Sequence, residues 1–213
     1  MPNRLYLGNR RYSSWSMRGW LAVRLAGLEV EEIVIPMSAG PTLAIKAATP
    51  AGLVPVLEHN GLTIWDSLAI AEYCAEHAPA LWPVERPVRA IARSAAAEMH
   101  AGFRDLRMAL PMNLGRRFPG REIPAPALAD IERIDTLWRQ CLQANNGPYL
   151  FGASPTIADL MYAPVAARFL TYTPALSPEA SAYCQTLRTH PLVDEWYSLA
   201  AAEPASWLLA KYE

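Results

Sequence analysis

Three clusters in the first seventy residues have the side-chain types and spacing that chemistry needs. Ser13, Ser14 and Ser16 surround Trp15 and lead to Arg18, Val54 precedes Pro55, and Asp66 precedes Ser67. The serines fall at the mouth of a predicted helix, where a hydroxyl either caps the helix or serves a bound group beside unpaired N–H groups. Val54 is driven into extended geometry by the proline after it, and an X-Pro bond in a tight turn is where a cis peptide is tolerated. That step turns the Val54 N–H and C=O outward, so that an extended ligand can pair with them as an added strand. Asp66 and Ser67 open a second helix, whose N-terminal amides suit a carboxylate while the anionic Asp66 meets an ammonium. The ligand described is a short peptide with a zwitterionic amino-acid end. Both serine positions, and the Asp-Ser pair, read equally as plain helix caps.

The elements that position these residues can be read from period and punctuation. Leu5 and Leu7 alternate with polar or small neighbours as a strand over 4–8, and a helix over 15–26 stops at Gly27. A strand over 31–36, a helix near 41–47, strands at 54–58 and 62–65 about the Asn60-Gly61 turn, and a helix over 67–77 follow. The fold class expected is α/β plus all-α: an N-terminal βαβαββα domain over 1–80, a proline-marked linker over 81–87, and an all-helical domain over 88–213. In the second part a long alanine-rich helix runs over 88–113, bent or ended near Pro111. Others span Ala127 to Ala144 and begin at Thr156, near Pro178 and after Pro191. Thr156 and Asp159 have capping-box spacing, which makes Asp159 a structural carboxylate before a catalytic one.

Composition closes off several functions. Nineteen basic and twenty acidic residues leave a net charge of -1, which argues against broad affinity for nucleic acid or anionic membranes. The Arg116-Arg117 and Arg121 cluster reads as a solvated face. Cys74, Cys141 and Cys184 are far apart, without a pairing or metal pattern, and read as reduced core residues of a cytoplasmic protein. His59, His77, His100 and His190 lack ligand spacing, so no metal is expected. No run is long and apolar enough to span a bilayer.

Taken in order, these motifs resemble those of the cytosolic glutathione S-transferases of the serine type, most of all the zeta class related to maleylacetoacetate isomerase. Ser13-Ser14-x-Ser16-x-Arg18 is similar to the active-site signature, Val54-Pro55 to the cis-proline step, Asp66-Ser67-x-Ala69-Ile70 to the γ-glutamyl motif, and Thr156-Ile157-Ala158-Asp159 to the capping box of the helical domain. The resemblance implies a thioredoxin-like first domain, glutathione as co-substrate, a cytoplasmic homodimer and detoxifying conjugation of small electrophiles. It puts Ser13, with Ser14 beside it, against the thiol. Trp15, Val54, Pro55, Asp66 and Ser67 would hold glutathione, with Gly40 and Lys46 at its glycyl end. A thiol of pKa about 8.5 is only about 3% thiolate at pH 7, and lowering it by about two units takes about 2.7 kcal/mol. A hydroxyl donating to the anion, helped by a helix N-terminus, supplies that amount. Unlike a cysteine, a serine there cannot form a mixed disulfide with the ligand.

The same resemblance puts a second substrate between the domains, against Tyr12, Trp15, Met108, Met112, Asn113, Phe118, Arg168 and Tyr172. Arg168-Phe169 with Thr173-Pro174, and Asn113-Leu114, are similar to zeta-class segments that handle a dicarboxylic diketone. Trp15 in place of the usual cysteine and Ala109 in place of the usual glutamine depart from that class. Conjugation of electrophiles therefore ranks first, a zeta-like cis-trans isomerase second. A non-catalytic binding module is the reading from another class, and for Arg168 a structural ion pair stands beside substrate binding.

Overall fold

The computed structural model describes residues 2–37 and 42–213. Its first part runs β1 (Arg4–Leu7), α1 (Ser14–Leu25), β2 (Glu31–Val34), α2 (Leu43–Ala48), β3 (Val56–His59), β4 (Leu62–Trp65) and α3 (Ser67–His77). The strands form one sheet in the order β2-β1-β3-β4, with β1 parallel to β2 and antiparallel to β3. Strand alternation decides the packing: Leu5, Leu7 and Leu57 join the large core with α1 and α3, while Tyr6 and Val56 meet Ile45 of α2 on the other face. Asn60 at φ 51 and Gly61 at φ 80 turn the hairpin, with His59 opposite Leu62. Beyond α1, Gly27 takes the left-handed conformation at φ 68 and the Leu28 N–H returns to the Val23 carbonyl at 3.1 Å, closing the helix end.

A short 3-10 turn, Pro79–Leu81, leads to α4 (Arg86–Ala101), α5 (Arg104–Ala109), α6 (Ala125–Asn145), α7 (Ile157–Tyr172), α8 (Pro178–Thr189) and α9 (Pro191–Ala201). Every residue of α7 except Leu170 is buried, as a helix apolar on all sides requires. Trp138 of α6 packs its ring against Tyr162, Phe169 and Tyr183.

The expected single helix over 88–113 is two helices, broken at Gly102 and Phe103, and the second of them ends at Ala109, just before Pro111. Gly102 leaves helical geometry at ψ -167 and Phe103 sits at φ 58, which ends α4; only glycine fits at 102, where a Cβ would stand 2.7 Å from the Glu98 carbonyl. Arg107 covers the exposed end of α4 by donating from Nη2 to the carbonyls of Met99 and His100.

Asp159 has the structural role its spacing implies. One oxygen accepts from the Thr156 N–H and hydroxyl, and the other from the Leu150 N–H at 3.0 Å and the Tyr183 hydroxyl at 2.8 Å. Complete burial raises the Asp159 pKa, and the four donors oppose that rise.

The two parts meet along α1. Trp20 packs on Trp196 with ring centroids 5.2 Å apart, and Arg24 forms a two-pronged ion pair with Glu195 of α9 at 2.7 and 3.0 Å.

Candidate functional site

Ser13 caps α1. Its Oγ accepts the Ser16 N–H at 3.3 Å and donates to Ser16 Oγ at 2.8 Å, and Ser16 Oγ in turn accepts the Gly8 N–H at 2.9 Å. The Ser13 hydroxyl is thus engaged inside the mouth of the helix. Ser14 begins the helix proper, and its Oγ accepts from Arg168 Nη2 at 3.4 Å. A hydroxyl that accepts from a guanidinium keeps its own proton for a second partner.

Arg168 is 4% exposed and meets no carboxylate among the described residues: Nε donates to the Leu110 carbonyl at 2.8 Å and Nη1 to the Pro164 carbonyl at 3.0 Å. Burial, then the nearby Arg107, lower its pKa to about 10, so it stays charged at neutral pH. The structural ion pair considered for Arg168 is replaced by backbone carbonyls and Ser14.

The Val54–Pro55 bond is cis, as the turn suggested. The β3–β4 ladder begins at Val56 opposite Trp65, so Val54 lies beyond the paired strand. Pro55 seats on Gly19 of α1, where a Cβ would come within 2.7 Å of the proline ring; this close approach requires the glycine in mid-helix.

Asp66 occupies φ 74, an uncommon region for a non-glycine residue. Its Oδ1 accepts the Leu68 and Ala69 N–H groups at 2.8 and 3.3 Å, capping α3. Its Oδ2 faces His100 Nε2 of α4 at 3.5 Å. Ser67 is fully buried, with its Oγ unpartnered. Beside this pair the Trp15 ring lies 4.9 Å from the Arg18 guanidinium and 5.2 Å from that of Arg107, with the His100 ring edge-on at 5.3 Å. Arg18 is 1% exposed with Nε and Nη1 unpartnered, and burial, followed by Arg107 and Arg168, depresses its pKa strongly. Three guanidinium groups of like charge therefore meet where α1, α5 and α7 converge. The Asp66 carboxylate acts on Arg18 less strongly than the two neighbouring arginines do, so the site favours a further anion.

The expected second-substrate residues divide. Tyr12 and Asn113 are joined by the chain's last turn: the Tyr12 hydroxyl donates to Glu213 Oε1 at 2.6 Å, and Asn113 Nδ2 donates to the Tyr212 carbonyl at 2.6 Å. Arg116 Nε also donates to Glu213, at 2.9 Å, and Glu203 accepts the Arg10 and Arg11 N–H groups. Phe118 stacks on Tyr172, whose hydroxyl donates to the Pro111 carbonyl. Met112 is buried in the core, and Met108 points away, 74% exposed. Lys46 is exposed on α2, and Gly40 lies outside the described residues.

His100, Arg107, Glu203 and Glu213 are the residues that sequence reasoning missed. Each reaches the site only through folding, and no local motif announces it.

Cys74, Cys141 and Cys184 are free and buried, and burial raises their thiols to about 12, about 11 and about 12. Among the described residues no group of three or more metal-ligating side chains gathers, and no helix is long and apolar enough to cross a membrane.

Fold and site together define a two-domain protein in which Ser14, the cis Val54–Pro55 step, Asp66 and Ser67 lie at helix mouths and strand ends of the sheet domain. The family model of the glutathione S-transferase N-terminal domain matches residues 12–77, and that of the C-terminal domain matches residues 90–198. The chain belongs to the glutathione S-transferase family and is an enzyme of that family.

Maleylacetoacetate isomerase of Rattus norvegicus is 29% identical over 179 residues, covering 82% of this chain and 81% of the rat protein. Glutathione S-transferase 1 of Dianthus caryophyllus is 28% identical, covering 75% of this chain and 74% of its own. A theta-class glutathione S-transferase from Xanthomonas axonopodis pv. citri, solved with glutathione bound, is similar in structure at TM-score 0.65 and 26% identity, over 92% of this chain and 98% of that one. A glutathione transferase homologue from Burkholderia shares the fold at TM-score 0.74 and 22% identity, over 95% of this chain and 100% of that one.

Proposed function

We propose that the protein binds glutathione and conjugates its thiolate to small electrophiles, with Ser14 as the thiolate-stabilising hydroxyl. The observation that carries this is the Arg168 contact, which fixes Ser14 Oγ as an acceptor and leaves its proton for the sulfur. The geometry favours Ser14 over Ser13 in that role, because Ser13 donates to Ser16. Val54 pairs with the cysteinyl backbone, Ser67 receives the γ-glutamyl carboxylate and Asp66 Oδ2 the ammonium. The charge of Arg168 favours ionisation of the thiol, and its proton passes to solvent. The sulfur lone pair then forms the bond to the electrophilic carbon as the leaving group departs with its electrons. Saturable glutathione binding, with turnover of a chloronitroarene lost in Ser14→Ala, tests the reading; unchanged turnover overturns it.

Isomerisation of a dicarboxylic diketone is the second reading, supported by the relatives named maleylacetoacetate isomerase and by the cationic cluster of Arg18, Arg107 and Arg168. Activity on maleylacetone, with a chloronitroarene and an organic hydroperoxide inert, would put it first. A non-catalytic module predicts weak or absent glutathione binding.

The protein works as a cytoplasmic homodimer. Supporting this, α4 and α6 leave a groove of about 560 Å³ lined by Pro87, Val88, Ile91, Leu137 and Phe151, and Trp65 on β4 is 55% exposed. Light scattering on wild type and Ile91→Glu tests the assembly: a monomeric wild type removes it.

A further inference from the structure

Eight buried side-chain polar atoms among the described residues have no hydrogen-bond partner, and five of them belong to Arg18, Ser67, His100 and Arg107, gathered about Trp15 and Asp66. A buried polar group without a partner is destabilising. Such a concentration marks the place where a ligand completes the bonding. Asp66 is divided there between two duties: Oδ1 serves the α3 amides, while Oδ2 faces His100 Nε2 at 3.5 Å. His100 belongs to the other domain, and the edge-on contact with Trp15 at 5.3 Å sets the attitude of its ring.

We infer that His100 is the positioning residue of the ammonium subsite, its Nε2–H holding Asp66 Oδ2 toward the γ-glutamyl amino group of glutathione. This rests on the glutathione reading above. A carboxylate oxygen only accepts, so the neutral ring carries its proton on Nε2. The charged and aromatic groups facing the ring are Asp66 at the mouth of α3, Trp15 and Arg18 on α1, and Arg107 on α5. Burial lowers the His100 pKa, Asp66 raises it, and Arg18 and Arg107 lower it, with a net downward shift. The ring is therefore neutral at pH 7. Protonated, it forms an ion pair with Asp66 and competes with the ligand's ammonium for the same oxygen.

The sign of the pH effect follows. The free protein takes up a proton that the complex excludes, so affinity falls as pH drops through the His100 pKa, with a limiting slope of about tenfold per pH unit. Asp66 thus accepts the amino group only while His100 is neutral.

Calorimetric titration with S-methylglutathione, which has no thiol to titrate, is run at about pH 7.5 and about pH 5.5. The analogue in which a glutaryl group replaces γ-glutamyl lacks the ammonium and is titrated in parallel. Wild type loses affinity for S-methylglutathione on acidification, by less than about tenfold at the lower pH because the His100 pKa lies below its ordinary value, and loses nothing for the analogue. His100→Gln keeps a neutral N–H donor, so it binds within about threefold of wild type at the higher pH and loses nothing at the lower. His100→Ala is about fivefold or more weaker at both.

Two results overturn the inference while leaving glutathione binding in place: an acid loss in His100→Gln equal to that of wild type, or an equal loss with the deamino analogue. Failure of wild type to bind S-methylglutathione at either pH overturns both the inference and the glutathione reading.

Discussion

Replacing Ser14 by alanine removes one hydroxyl from the mouth of α1 and leaves the helix cap, made by Ser13, in place. Ser14 is 7% exposed, so water does not substitute for its O–H beside a bound sulfur. A hydrogen bond to a charged acceptor is worth about 1.5–3 kcal/mol, which at about 1.36 kcal/mol per unit raises the thiol pKa by about 1.1–2.2 units. Starting from a bound thiol at about 6.5, the ionised fraction at pH 7 drops from about three-quarters to roughly 2–20%. Turnover with a rapidly reacting electrophile falls roughly 4- to 40-fold, and raising the pH by about two units restores most of it. The ultraviolet absorbance of the thiolate, followed against pH on enzyme saturated with glutathione, measures the pKa directly. Ser13→Ala is the contrast: loss of an N-cap costs about 0.5–2 kcal/mol of stability, with little change in the thiol. If Ser13→Ala shifts the thiol and Ser14→Ala does not, the assignment drawn from the Arg168 contact is wrong.

Asp159→Ala strands the Leu150 and Thr156 N–H groups and the Tyr183 hydroxyl; a loss of about 3–5 kcal/mol is expected, read as a fall in the urea midpoint, and a change under about 1 kcal/mol refutes the capping account. Gly19→Ala drives a methyl into Pro55 and is expected to cost about 1–3 kcal/mol, with a raised KM for glutathione; an unchanged melting temperature and KM would count against the close approach. For Glu213, burial pushes the carboxyl up, but hydrogen bonds from Tyr12, Arg116 and Asn113 bring it below the usual glutamate range. Its contribution is thus present above about pH 4.5 and disappears as pH falls through the lower folded value. Hydrogen exchange of residues 205–213 should quicken on acidification, and Glu213→Gln should show much of that quickening already at neutral pH; identical rates in the two proteins oppose it.

Much of the first domain could be read from the chain because its signals are local. Alternation in Leu5-Tyr6-Leu7, the Asn60-Gly61 turn and the proline at 55 each depend on neighbours in sequence, and the succession of strands and helices followed from them. The helix break at Gly102 was missed because glycine is tolerated within helices; only its approach to the Glu98 carbonyl and the left-handed Phe103 beside it decide the matter. In the site, Ser14, Asp66 and Ser67 were visible as motifs. Which serine keeps a free proton was not, since that depends on Arg168, 154 residues away in sequence. Met108 and Met112 were both expected against the second substrate, yet α5 ends between them and the two side chains part.

Residues 203–213 run as a stitch across the seam between the halves, anchored at Arg10, Arg11 and Tyr12 on one side and at Asn113 and Arg116 on the other. On the proposed conjugation reading, a molecule that enters or leaves by that side has to part the stitch, and its girth then bears on turnover. Two electrophiles of equal intrinsic reactivity but unequal bulk should separate in steady-state turnover, and loosening the thread at Glu213 should bring them back together.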